Sequence, residues 1–169
     1  MNELRIYPDP VLRGKAKKVE NFDSQRIEYI TNIMENIIKE YKAIGLAAPQ
    51  IGILEQIIVI DSGTEYIKLI NPELIETKDK EVLEEGCLCL PDIEIAIERA
   101  KFVVVKGIDQ YGEKKIIEAN DLVARALQHE IEHLNGILII DKLPPVERVK
   151  FDMEWKGGEY EKRNPSRVL

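Results

Sequence analysis

The chain has 169 residues, enough for one domain with a real core and too few to expect two. An apolar share of 44% and a charged share of 33% suit a globular protein, and a net charge of −7 argues against a general binder of nucleic acid or anionic membrane, since both want a basic surface. No stretch approaches the apolar run needed to span a membrane, and Met1-Asn2-Glu3-Leu4-Arg5 lacks the apolar core of a signal peptide, so a single domain over residues 1–169 in the cytoplasm is expected.

The first twenty residues, with Pro8, Pro10 and several lysines, read as an irregular arm ending in one short turn of helix. Asp23 or Ser24 then caps a long helix running to about Lys42. Ile27, Ile30, Met34, Ile37, Ile38 and Tyr41 form its apolar stripe at spacings of three and four. The run Ala43-Ile44-Gly45-Leu46-Ala47-Ala48-Pro49-Gln50-Ile51-Gly52 reads by itself as a turn, because Pro49 opposes continued helix. Its small residues let backbone approach something closely. Strand-like segments follow at Ile57 to Ile60, Tyr66 to Ile70 and Leu74 to Leu83, with turns at Ser62-Gly63 and Asn71-Pro72. Lys101 to Ile108 is the most convincing buried strand, and Gln110-Tyr111-Gly112-Glu113 is a hairpin turn into Lys114 to Glu118. Strands gathered before a second helix predict an α+β fold, with small antiparallel or mixed sheets packed around that helix. From about residue 157 to Leu169 the chain is polar and reads as a loose tail.

The second helix runs from Asn120, a good N-cap, to Gly136, placed to end it in a left-handed conformation. It carries Gln128-His129-Glu130-Ile131-Glu132-His133. Leu122, Ala126, His129 and His133 share one face, so both imidazoles point the same way and can share one metal ion. Glu130 lies about 100° around from His129 at roughly 3.6 residues per turn. That is where a general base belongs, beside a metal without ligating it. The bland alternative is a surface helix with two polar residues four apart. The chain has only two histidines, both in this motif beside an apolar face, which favours the metal.

A catalytic site of this type keeps three protein ligands and an open position, so two histidines need a partner. A histidine six residues past His133 fails, since Ile139 stands there. Glu154 would make the chain a metalloprotease. The third option is a cysteine in Glu85-Gly86-Cys87-Leu88-Cys89-Leu90-Pro91. In a reducing compartment metal binding is the expected use of two cysteines spaced this closely.

Gly45-Leu46-Ala47-Ala48-Pro49-Gln50, Glu85-Gly86-Cys87-Leu88 and His129-Glu130-Ile131-Glu132-His133 resemble, in order and approximate spacing, the three motifs of the peptide deformylases. Tyr7-Pro8-Asp9-Pro10 and Leu134-Asn135-Gly136 extend the likeness over most of the chain. The resemblance implies a hydrolase that removes the formyl group from the initiator N-formylmethionine of new polypeptides, releasing formate. It implies one divalent ion held by Cys87, His129 and His133, usually Fe²⁺, with Zn²⁺, Ni²⁺ or Co²⁺ able to replace it. It assigns Glu130 as base, and Gln50 with the backbone N–H of Leu88 as donors to the formyl oxygen. Ile44, Gly45 and Arg125 would border the methionine, and Glu85 and Arg99 would form a salt bridge that buttresses the cysteine loop. The partners implied are formylated nascent chains, with transient ribosome contact to which Lys162, Arg163 and Arg167 are a small basic contribution.

Three residues depart from the family pattern. Glu132 replaces the usual aspartate, Ala43 stands where glycine is common, and Cys89 stands where serine is common. Residues i and i+2 of a strand share a face, so Cys89 could compete for the metal or bond to Cys87 on oxidation. Two cysteine ligands would make a closed Cys₂His₂ structural centre without a water.

Overall fold

The computed structural model describes residues 4–155 and Leu169. Five strands run as one antiparallel meander in the order β1-β2-β3-β4-β5: β1 is Gly45–Ala47, β2 Ile57–Asp61, β3 Tyr66–Cys87, β4 Leu90–Ile108 and β5 Lys114–Asn120. Three α-helices accompany them among the described residues: α1, Ser24–Tyr41; α2, Asp121–Leu134; α3, Pro145–Glu154. The α+β class holds, with the expected small sheets realised as this single meander and one isolated parallel bridge, Lys17 to Glu55.

The unbroken apolar run of β2 has a simple cause: both of its faces are covered. Ile57 and Val59 join the core beneath α1, with Ile27, Ile30, Met34 and Ile38. Ile58 and Ile60 join the core beneath α2, with Ala124, Ala126 and Leu127. Successive strand residues point to opposite faces, so a strand between two helix layers cannot alternate apolar with polar. All four of these β2 residues are fully buried, each contributing about 1.5–3 kcal/mol of transfer free energy. This layering places α2, with its histidines, against the inner face of the sheet.

Helix ends follow local chemistry. The Asp23 carboxylate accepts from the N–H groups of Gln25 and Arg26, starting α1. Lys42 ends it in the left-handed region at φ 51°. Asn120 occupies the N-cap position of α2 without a side-chain capping bond, and the helix closes through Asn135 into Gly136 at φ +71°. A Cβ on Gly136 would lie 2.5 Å from the Arg13 carbonyl oxygen, so the position needs glycine on two counts.

Three sequence expectations change. The two strands placed on either side of Asn71-Pro72 are one, β3, because Asn71 adopts φ 52° and makes a bulge between the pairs Ile70–Ile108 and Glu73–Lys106. Pro72, lacking an N–H, fits such an interruption. The segment from Ala43 to Gly52 is more than a turn: β1 passes into a 3-10 helix, Ala48–Ile51, with Pro49 in its first turn. Helix α3 was not anticipated. Its tenth residue is Glu154, and none of its residues is buried. The predicted loose tail and the basic trio Lys162, Arg163 and Arg167 lie outside the described residues, apart from Leu169, which packs into the core beneath α2.

Candidate metal centre and active site

The β3–β4 ribbon is long and largely exposed along β3, and its tip is the cysteine turn. A bulge between the Gly86 and Cys87 pairs ends β3, Cys87 pairs with Leu90, and Leu88-Cys89 form the turn between. The bulge re-aims Cys87 out of the ladder towards α2. The two thiols therefore meet around a turn and not along a strand, with Sγ atoms 3.1 Å apart. The N-terminal arm holds this turn from outside: Tyr7 N–H donates to the Cys89 carbonyl at 2.9 Å, and Arg5 N–H to that of Gln50 at 2.7 Å.

From α2, His133 Nε2 lies 3.2 Å from Cys87 Sγ and 3.2 Å from His129 Nε2. One ion with bonds of about 2.0–2.3 Å spans such separations. Among the described residues two groups could hold a metal, Cys87-Cys89-His133 and His129-Glu130-His133, both buried and sharing His133. The chemistry of the donors also fits an ion. Burial, helped by the neighbouring Cys89, pushes the Cys87 thiol well above its ordinary value, so a cation must replace its proton before it becomes a good ligand. Burial, then His129, holds His133 far below the usual range, leaving it a neutral donor.

Glu130 is fully buried, and neither carboxylate oxygen has a hydrogen-bond partner. An unpaired buried carboxylate is costly, and burial raises this one to about 7. Such a group near neutrality can both take and return a proton. Gly45 explains how β1 comes so close: a Cβ there would sit 2.7 Å from Glu130 Oε1. Gln50 is fully buried too, its Oε1 accepting from Ala47 N–H at 2.8 Å and its Nε2 facing Cys87 Sγ at 3.6 Å. Because an N–H must meet an oxygen, the Ala47 bond fixes which end of the amide faces the donors. Leu88 is fully buried in the cysteine turn, next in sequence to Cys87.

Behind the donors lies a charged cluster of which the sequence indicated only the Glu85–Arg99 pair. Both are buried, and they are bonded twice, at 2.8 and 2.9 Å. His129 Nδ1 meets Glu85 Oε2 at 3.0 Å, which orients the ring with Nε2 towards the donors. Burial alone would raise the Glu85 carboxyl, but the bonds from Arg99 and His129 bring it down to about 2. Its bond to Cys87, then that to Glu85, outweigh burial and take His129 up to about 10. Arg99 continues to Glu132 at 2.9 Å. Arg125, expected beside the methionine, instead turns its guanidinium inward to Glu85 and two carbonyls. The signal for this cluster was present, since Arg99 falls in phase with buried Ile95 and Ile97 on β4, where a lone cation would be untenable.

Glu154 is exposed at the end of α3 and belongs to neither candidate group, so the metalloprotease alternative finds no support. The closed Cys₂His₂ centre finds none either, because it leaves the unpaired Glu130 beside the histidines without a use.

A thiol and two imidazoles, backed by a partnerless glutamate on an α+β frame, have the form of a one-metal hydrolase centre. The chain belongs to the polypeptide deformylase family, whose profile, described as Polypeptide deformylase, matches residues 1–149. A peptide deformylase of Thermodesulfovibrio yellowstonii is 42% identical over 159 residues, covering 91% of this chain and 96% of that protein. One from Halothermothrix orenii is 46% identical over 143 residues, covering 83% and 92%. Among solved structures, a peptide deformylase from Legionella pneumophila superposes with a TM-score of 0.84 at 36% identity, covering 91% of this chain and 92% of that one. That from Thermotoga maritima gives 0.80 at 43%, covering 86% and 99%.

Proposed function

We propose that the chain, acting as a single catalytic unit, hydrolyses the N-formyl group of new polypeptides that begin with formylmethionine, giving formate and a free amino terminus. The observation that carries this reading is the buried, partnerless Glu130 carboxylate between the Cys87, His129 and His133 donors and the Gly45 backbone. Cys87, His129 and His133 would hold one divalent ion, which when bound supplies a Lewis acid and an acidified water. Glu130 accepts a proton from the attacking water and delivers it to the departing amine. Gln50 Nε2 and the Leu88 N–H donate to the formyl oxygen as charge develops on it.

Substrate binding would use β1, which among the described residues pairs only with β2, its other edge taking an extended peptide. Gly45 abuts Glu130, and Ile44 next to it lines a cavity of about 570 Å³ with Ile38, Tyr66, Leu122 and Val123 on its apolar side and Lys39, Lys42 and Asp61 on its polar side. Leu122 precedes His129 by seven residues, roughly 10 Å along α2. That distance suits a methionine and the residues following it. Fe²⁺ is the ion we assign in the cell, Cys-His₂ ligation also accepting Zn²⁺, Ni²⁺ or Co²⁺. Transient ribosome contact and a cytoplasmic site of action belong to the same proposal, since the substrates arise there. No helix among the described residues is long and apolar enough to cross a membrane.

The test is formate release from formyl-Met-Ala-Ser by anaerobically purified protein, with metal content assayed in parallel. Rapid release at about one metal per chain supports the reaction, and none from folded, metal-loaded protein rejects it.

A further inference from the structure

We infer that Arg125 is a positioning residue, which locks Glu85 and joins α2 to both strands of the β3–β4 ribbon so that Cys87, His129 and His133 converge. The guanidinium is almost wholly buried, its side chain 4% exposed. Nη1 donates to Glu85 Oε1 at 2.7 Å and to the Ile97 carbonyl at 2.9 Å, and Nη2 donates to the Glu81 carbonyl at 2.8 Å. Glu81 is on β3 and Ile97 on β4, in the register pairs Glu81–Arg99 and Leu83–Ile97 on either side of Val82–Glu98. One side chain on α2 therefore grips both strands just before the turn that carries Cys87.

The bonding of Glu85 shows why one arginine is insufficient. An ionised carboxylate has about four acceptor sites, and all four are used. Oε1 accepts from Arg99 Nε and Arg125 Nη1, and Oε2 from Arg99 Nη2 and His129 Nδ1. Arg99 is shared with Glu132 through Nη1, so its position follows α2 at a second point. Arg125 supplies what Arg99 does not, a rigid planar fork tied to main chain. Removing it leaves Glu85 free to turn about Arg99, and with it the His129 ring. It also leaves the buried Ile97 carbonyl and the half-buried Glu81 carbonyl without this donor.

The experiment compares Arg125→Met and Arg125→Lys with the parent, purified free of metal and titrated with Zn²⁺ against a chromophoric chelator. Arg125→Met should bind Zn²⁺ about 10- to 100-fold more weakly, the range found when groups orienting metal-ligating histidines are removed. At saturating Zn²⁺, kcat on formyl-Met-Ala-Ser should fall while KM stays near that of the parent. Arg125→Lys should recover part of the loss, since an ammonium can reach Glu85 but cannot also hold both carbonyls. Nitrogen-15 spectra of the two imidazoles in metal-free protein should show the His129 Nδ1–H signal weakened in Arg125→Met. Zn²⁺ affinity equal to the parent, whatever the melting temperature, overturns the inference, as does a raised KM with unchanged kcat, which returns Arg125 to the substrate pocket. If Arg125→Met does not fold, Arg125→Lys decides: weakened Zn²⁺ binding supports the role and parental binding refutes it. The kinetic arm rests on the proposed reaction. Zn²⁺ affinity is measured without peptide, so failure of that reaction leaves the metal arm intact.

Discussion

Glu130 and Gly45 make opposite demands on a few ångströms of space. The carboxylate is buried without a partner, and the glycine lets a strand pass where any other residue would strike it. Glu130→Gln keeps the shape of the side chain and removes the base. Formate release should fall by about 10²- to 10⁴-fold, the usual contribution of such a group, with metal stoichiometry unchanged. Loss of metal along with activity would make Glu130 a ligand instead. Gly45→Ala places a methyl 2.7 Å from Glu130 Oε1 and 2.9 Å from Ile60 Cδ1. Turnover should drop on the order of 10- to 100-fold through displacement of the base, while Zn²⁺ titration remains parental. Cys89 stands where the family commonly has serine. Its thiol is fully buried beside Cys87, yet three donors suffice, so Cys89→Ser should keep both metal and turnover.

Among the elements, α2 and the segment behind it are tied to the N-terminal arm by charge. Arg13 donates to Asp141 at 2.5 and 3.0 Å, Leu138 N–H donates to the same carboxylate, and Arg148 of α3 adds a bond at 2.7 Å. Burial would raise Asp141, but the Arg13 bond, then Leu138 and Arg148, hold it below 3.8. A carboxyl depressed by folding stabilises above its unfolded value and loses that contribution as pH falls through the folded one. Urea unfolding should find Asp141→Asn less stable than the parent at pH 7. The gap should close as the pH is taken below about 4, near the unfolded aspartate value. A gap independent of pH would mean that shape and not charge matters at this position.

At the scale of the whole molecule, stability is unevenly distributed. The two helix layers over β2 each bury a cluster of apolar side chains, whereas α3 buries none of its residues. The outer helix is held by Phe151 and Trp155 stacked at 5.2 Å, by Tyr7 beside them, and by a Trp155 Nε1 bond to the Tyr7 carbonyl at 3.1 Å. Trp155 is the chain's one tryptophan, so its fluorescence reports this contact alone. Regions with few buried contacts open at lower free-energy cost than the core. The fluorescence transition in urea should therefore precede the far-UV circular dichroism transition. Coincident curves would show α3 to be part of the cooperative core.

The sequence by itself determined the local matters. The stripe of α1, its start at Asp23 or Ser24, the end of α2 at Gly136, and the shared face of His129 and His133 depend on helical spacing and backbone preference, which act over a few residues. Three motifs at family spacing were enough to name the family. Only tertiary structure decided what happens between segments distant along the chain. Whether Tyr66 to Cys87 is one strand or two depended on its pairing with β4, and the fate of Arg125 depended on carbonyls 28 and 44 residues away. Residues 43–52 read as a turn because their purpose is set by what they touch: Gly45 by Glu130, Gln50 by Ala47 and Cys87. Burial is a property of the assembled layers. It draws Arg125, which the family resemblance placed beside the methionine, in to Glu85, and raises the Glu130 carboxyl to about 7.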